Sequence, residues 1–201
     1  MISTAETYKG WSDEALAAAI GQGKNGALEE LYFRYQKRVQ YFFYRMLGHS
    51  EEKANDFVQD LFLKLIEKPH LFNPEKRFST WFFSVAHNMC KNEYRRLKVR
   101  EVMDPEAEAN PSTGQRFDPA HQADLNAFNA ALHAALDQFD EDRKTAFLLR
   151  HREGFSIREI SQVLQCSEGT VKSKLFYTHK KLAVRLKDFN PNQLTSETRK
   201  S

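Results

Sequence analysis

The sequence predicts an all-α protein: two small helical domains joined by a flexible acidic linker. Three observations carry that expectation. Apolar residues recur at helical spacing through most of the chain, and the runs open on Ser or Asp in N-cap position. Between Val102 and Asp124 the pattern stops, and Asp104-Pro105, Asn110-Pro111, Gly114 and Asp118-Pro119 punctuate a stretch with no regular element. Beyond it, residues 154–182 read as two short helices with a tight break between them. The chain has 201 residues, 41% of them hydrophobic and 16 of them Phe, enough for a packed core in each of two small domains.

The elements follow in order. Residues 1–11 are expected to be loose. Ser12 caps a helix over 13–22, which Gly21 and Gly23 end. A long helix over about 27–47 buries Leu28, Leu31, Tyr32, Tyr35, Val39, Phe42, Phe43 and Met46, and Gly48 stops it. Ser50 caps a third helix, with Glu51 and Glu52 at its positive end and Ala54, Phe57, Val58, Leu61, Phe62 and Leu65 as its buried stripe. Pro69 and Pro74 bracket a loop. A helix over about 80–100 then sets Trp81, Phe82, Val85, Met89 and Leu97 on its apolar side. After the linker, helices are expected over 125–139 and, capped by Asp140, over 141–152.

In the two-helix stretch, Ser156 with Glu159 three residues on makes a capping box, and Ile157, Ile160 and Leu164 share a face. Ser167 caps the second helix, whose inner face is Val171, Leu175, Thr178 and Leu182. The tail beyond Asp188, rich in Ser, Thr and Asn, is expected to be disordered. The expected divisions are 1–11, 12–100, 101–124, 125–188 and 189–201.

Charge is segregated beneath a net +3. Lys76, Arg77, Lys91, Arg95, Arg96, Lys98 and Arg100 stand against Glu93 alone. From Glu101 to Asp142 ten acids face one base, Arg116, and from Arg143 to Lys187 eleven bases face three acids. Two basic blocks flanking an acidic one point to two separate contacts with a polyanion. In the first block, His87, Asn88, Lys91, Asn92, Arg95 and Arg96 crowd the polar side of a helix beside the Lys76–Arg77 loop and the aromatic Phe78 and Trp81. Cations hold phosphate, amides read exposed base edges and aromatics replace lost stacking. In the second, Gly169, Lys172, Ser173, Phe176, Tyr177 and Lys180 form the outward stripe of the last helix. Ser167, Glu168, Gly169 and Thr170 open that helix, where free N–H groups favour a phosphate, and Lys174 adds charge beside them.

A third stripe, Asp56, Gln59, Asp60 and Leu63, is read equally well as a solvated face or as a protein-docking surface. No His or further acid sits where a metal or acid–base site would need it. Cys90 and Cys166 have neither metal-ligand nor disulfide-framework spacing, and Cys90 reads as a small buried residue. No cofactor or metal is expected. With neither an apolar leader nor a membrane-length run, the chain is expected to be cytoplasmic.

Taken together, these blocks resemble an extracytoplasmic-function sigma factor of the sigma-70 family, from about Trp11 to Leu186. ALEELYFRYQKRV resembles the start of that family's second conserved region, and ANDFVQDLFLKL its core-polymerase docking helix. RFSTWFFSVAHNMCKNEYRR resembles the segment that melts and reads the −10 element. LDQFDEDRKTAFLLRHREGFSIREISQVLQCSEGTVKSKLFYTHKKL resembles the fourth region, which reads the −35 element. The resemblance implies a non-enzymatic, dissociable promoter-specificity subunit, monomeric when free. Its partners would be promoter DNA, the clamp helices and flap of core RNA polymerase, and an anti-sigma protein.

The resemblance also implies residue roles. Asp56, Gln59, Asp60 and Leu63 would meet the clamp helices. Asn88 would hold a flipped −10 base, with the 72–79 loop as its pocket. Lys172, Ser173, Phe176 and Tyr177 would face the −35 major groove, and the linker would thread toward the polymerase active-site channel. Three departures stand out: Gln165 where Gly is common in the turn, Ser161 for a frequent Ala, and Lys172, Lys174 and Tyr177 where Arg is frequent. Lys lacks the bidentate fork that reads guanine. The alternative is a dimeric helix-turn-helix regulator on a palindromic duplex, which leaves the Asp56–Leu63 stripe and the first basic block without a role.

Overall fold

The computed structural model describes residues 6–103 and 123–189. Among them lie eight α-helices, three short 3-10 turns and no strand. The expected linker, apart from its first and last residues, and the tail from 190 fall outside the described residues.

The N-terminal domain is built from α1 (Asp13–Ile20), α2 (Asn25–Met46), α3 (Glu51–Glu67) and α4 (Phe78–Met103). The Ser12 and Ser50 hydroxyls accept from Ala15 and Lys53 N–H, as their N-cap positions require. α2 packs between α1 and α3, and α4 lies across them. The core is aromatic: Tyr35, Phe42, Phe43, Phe78, Phe82 and Phe83 are fully buried and meet mostly edge to face. Residues 6–11, expected to be loose, are held. Tyr8 packs on the core, and Arg34 donates to the carbonyls of Lys9 and Trp11 while its head bonds Asp13 and Glu30. A guanidinium in the middle of α2 thus anchors a segment whose own composition is polar.

α4 begins two residues earlier than the pattern indicated. Its opening has no local side-chain cap of the Ser type; instead the Phe78 N–H donates to Glu14 Oε1 on α1 at 2.9 Å. A carboxylate from another helix does the capping, so no local sequence signal marks the start. Cys90 is buried in the core, and burial raises its thiol pKa.

The C-terminal domain comprises α5 (Ala123–Leu136), α6 (Glu141–His151), α7 (Ile157–Leu164) and α8 (Glu168–Arg185). Asp140, Ser156 and Ser167 cap their helices, and the Ser156–Glu159 box is complete. Ile160, Val163, Leu164, Val171 and Leu175 fill the angle between α7 and α8. Gln165 ends α7 in the left-handed region at φ 52°, so the tight turn is kept without glycine. A side chain there costs about 1 kcal/mol, partly returned through the stiffer unfolded chain. Gln165→Gly is therefore expected to raise stability by about 0.5 kcal/mol, read as a higher urea midpoint at unchanged m.

The two domains share one core. Phe83 meets Phe155 edge to face at 5.5 Å, and α7 lies along α4. Ala146, Leu149, Ile160 and Val163 join the same buried cluster as α2 and α4. The linker's residues bridge domains that are already closed on each other.

Candidate nucleic-acid interface and docking face

The outward stripe of α8 stands as its spacing requires. Ser167, Glu168, Gly169, Thr170, Lys172, Ser173, Phe176, Tyr177 and Lys180 are all exposed, while Val171, Leu175, Thr178 and Leu182 are buried. A Cβ added at Gly169 would meet only Ser167 Oγ at 3.7 Å, so packing within the chain does not demand glycine there. Phe176 and Tyr177 are 62% and 54% exposed and meet edge to face. Two uncovered aromatics on a basic helix are an apolar surface suited to thymine methyls and sugars. Lys174 differs. It turns inward and pairs with Asp142 on α6 at 3.1 Å, so its placement here is that of a tie between helices rather than of a groove contact.

On α4 the candidates divide. Asn88, Asn92, Arg95 and Arg96 are exposed, Lys91 is half-buried, and Lys76 is exposed in the preceding loop. Arg96 lies along the helix, bonded twice to Glu93. Three expectations need correction. Phe78 is fully buried, stacked on Phe82, because the helix starts at this residue and turns it into the core. Trp81 is half-buried against Phe72 and Phe78. Within the 72–79 loop Phe72, Phe78 and Ser79 are buried and residues 73–77 are exposed. His87 is 1% exposed and faces the C-terminal domain instead of solvent.

His87 is held on both ring nitrogens' sides. Its Nδ1 and Thr145 Oγ1 share a hydrogen bond at 3.0 Å, and the Thr145 hydroxyl also lies 3.7 Å from Met46 Sδ. Nε2 then lies 3.5 Å from Asp142 Oδ1. Burial pulls the His87 pKa down to about 4; Asp142 opposes the shift, and Lys91 and Lys174 reinforce it. The ring is neutral at pH 7. Arg77 extends from the loop to Glu159, the capping-box carboxylate of α7.

The docking stripe is open as expected. Asp56, Gln59 and Asp60 are exposed, Leu63 is 50% exposed, and neither carboxylate takes part in an ion pair among the described residues. Sequence reading missed Ile66, one turn beyond Leu63, which is exposed. Leu63 and Ile66 make a short apolar strip on the helix that carries the acidic residues, and their spacing could have signalled it. Among the described residues no group of His, Cys, Asp or Glu could hold a metal ion, and no helix is long and apolar enough to cross a membrane.

Two family models match the chain: Sigma-70 region 2 over residues 31–100 and Sigma-70 region 4 over 129–182. They fall on the α2–α4 block and on the helix-turn-helix domain, in that order. The chain belongs to the sigma-70 family. Its relatives place this sigma-70 member in the extracytoplasmic-function class. It is 28% identical to the RNA polymerase sigma-H factor of Pseudomonas aeruginosa over 82% of this chain and 88% of that one. It is 29% identical to the ECF RNA polymerase sigma-E factor of Haemophilus influenzae over 82% and 90%. The sigma-E factor of Escherichia coli K12 is 27% identical over 82% and 89%. In fold, the sigma-70 member is similar to the sigma factor RpoE of Bartonella quintana, solved with the anti-sigma factor NepR. The TM-score is 0.67 at 24% identity, covering 79% of this chain and 96% of that one. It is also similar to CnrH, solved with the cytosolic domain of CnrY, with a TM-score of 0.65 at 22% identity over 88% and 97%.

Proposed function

We propose that this sigma factor assembles with core RNA polymerase through α3, reads −35 duplex with α8 and melts and reads −10 DNA with α4. The observation that carries the reading is the order of exposed surfaces. An unpaired acidic and apolar strip on α3 is followed by a basic, amide-bearing α4 and a basic, aromatic α8. The work is differential binding: the protein performs no covalent chemistry and acts in the cytoplasm, where polymerase is. Domain roles follow as residues 12–100 for core docking and −10 recognition and 125–188 for −35 recognition. An anti-sigma protein is a further expected partner.

The reading is tested by co-elution with bacterial core polymerase followed by run-off transcription on fragmented genomic DNA. Stoichiometric co-elution with new discrete transcripts is expected. A dimer that binds duplex alone and ignores polymerase would replace this reading with that of a conventional regulator.

Two substitutions probe the DNA faces separately. Asn88→Ala is expected to impair open-complex formation, read by permanganate reactivity, while holoenzyme assembly is unchanged. A flipped base must recover a few kcal/mol of unstacking from its pocket. Lys172→Ala is expected to lower the salt dependence of −35 duplex binding by about one unit of slope, the signature of one lost phosphate contact. An unchanged slope would assign Lys172 to solvent or to a base edge.

A further inference from the structure

His151, at the end of α6, and His179, on α8, are both exposed, and their Nε2 atoms lie 2.7 Å apart. Phe147 backs both rings, its centroid 4.5 Å from that of His151 and 5.9 Å from that of His179. Two imidazoles meet in this way only if one Nε2 carries a proton and the other does not. One further proton, added at the free Nδ1 of the donor ring, turns that ring into an imidazolium and makes the shared bond charge-assisted. A second would set two N–H groups against each other and part the rings. The pair thus has room for one proton. Lys172, Phe176 and His179 follow one another at i, i+4 and i+7, so His179 continues the outward row of α8 toward its C-terminal end.

The surroundings of the pair are cationic. Lys172 and Lys180 are exposed on α8. Arg150 donates to the Phe155 carbonyl and Arg152 lies over the Tyr41 ring, and neither forms an ion pair among the described residues. The carboxylates on the elements around α8 are engaged elsewhere: Asp137 with Lys144, Asp142 with Lys174, Glu153 with Arg38 and Glu159 with Arg77. Asp140, Glu141 and Glu168 stand at the opposite ends of α6 and α8, about 15 Å along the axes. Burial, His179 and Arg150 all hold the His151 pKa below its ordinary 6.5, so this ring is neutral at pH 7.5.

We infer that His151 and His179 together form a phosphate contact, one that takes up a single shared proton when duplex DNA lies on α8. The inference rests on the reading of α8 as the −35 helix. A phosphodiester beside the pair favours its charged form, and by linkage the proton favours the phosphate. The bound pair keeps its proton to higher pH than the free pair, so binding tightens as pH falls from 8 to 6. His87 stays neutral throughout, its pKa being about 4.

The test uses the full chain and a short duplex of arbitrary sequence at low salt, since phosphate contacts are independent of sequence. The ring Hε1 resonances of His151 and His179, assigned from His151→Gln and His179→Gln, are followed against pH with and without duplex. The midpoint of the pair is expected to move up in the complex. Duplex affinity, read by fluorescence anisotropy, is expected to rise about fivefold more between pH 8 and 6 in the wild type than in His179→Gln. His151→Gln and the double variant should match His179→Gln, because losing either ring loses the pair.

A midpoint that does not move on saturation with duplex, or equal pH dependence in wild type and His179→Gln, would overturn the contact. The charge-reversed chain Lys172→Glu/Lys180→Glu separates this from the reading of α8. Loss of duplex binding there, with unmoved midpoints in the wild type, removes the proton-linked contact alone. Undiminished duplex binding there, with unmoved midpoints, removes α8 as the DNA face and the contact with it.

Discussion

Lowering the pH from 7 to 5 is expected to destabilise the folded chain by about 2 kcal/mol through His87 alone. The imidazole is 1% exposed between α4 and α6, and burial holds its pKa at about 4 against an ordinary 6.5. The sign follows from proton counting. Above pH 6.5 both folded and unfolded chains carry a neutral ring, and His87 exerts no pH dependence. Between 6.5 and about 4 the unfolded chain takes up a proton that the folded chain refuses, so stability falls with pH across that window and levels off below it.

His49 and His133 shift in the same direction, each chiefly by burial, with Arg45 adding to it. Arg45 donates to His49 Nε2 at 2.5 Å, which requires that nitrogen to be unprotonated. All three rings lie where the domains meet, so acid acts on closure. Glu93 and Glu159 do not cloud the window. Burial pushes each carboxyl up, but hydrogen bonds from Arg96 and Lys53 to Glu93, and from Ser156 and Arg77 to Glu159, bring both below their ordinary value. Their contribution is fully present above the ordinary value of 4.5 and is lost as pH falls below it, outside the interval from pH 7 to 5. His87→Asn keeps a donor toward Thr145 and removes the titration. Urea midpoints measured from pH 7.5 to 5 should flatten in the variant relative to wild type; parallel curves would mean that His87 is solvated and not packed between the domains.

The second large effect is on assembly. Asp60→Arg is expected to weaken association with core RNA polymerase at least about 100-fold, which is about 2.8 kcal/mol. Asp60 is exposed and forms no ion pair among the described residues, so the folded chain should lose less than about 0.5 kcal/mol. The loss would be electrostatic and local: a carboxylate one turn before Leu63 is replaced by a cation on the helix that presents the exposed Leu63 and Ile66. Like charges placed together in a desolvated interface cost several kcal/mol. Binding measured by fluorescence anisotropy with labelled sigma factor reads this directly. Normal holoenzyme assembly by Asp60→Arg would return the Asp56–Leu63 stripe to an ordinary solvated face.

What the sequence determined by itself is what sequence neighbours decide. Ser12, Ser50, Asp140, Ser156 and Ser167 each bond an N–H three residues on, and every one of these caps is present. The buried stripe of α3 and both faces of α8 are set by the 3.6-residue period, and they stand as read. The two-region order that identifies the family is likewise linear information. Tertiary structure decided everything that depends on a partner distant in the chain. Glu14 caps α4 from 64 residues away. His87 looked like part of a polar face until Thr145, 58 residues on, made it an interior group. Arg45, a basic residue near a helix end, is 2% exposed because His49, Asp137 and the His133 carbonyl converge on it. A helix period reports only that a residue faces one side; which side meets water is set by the element that packs there.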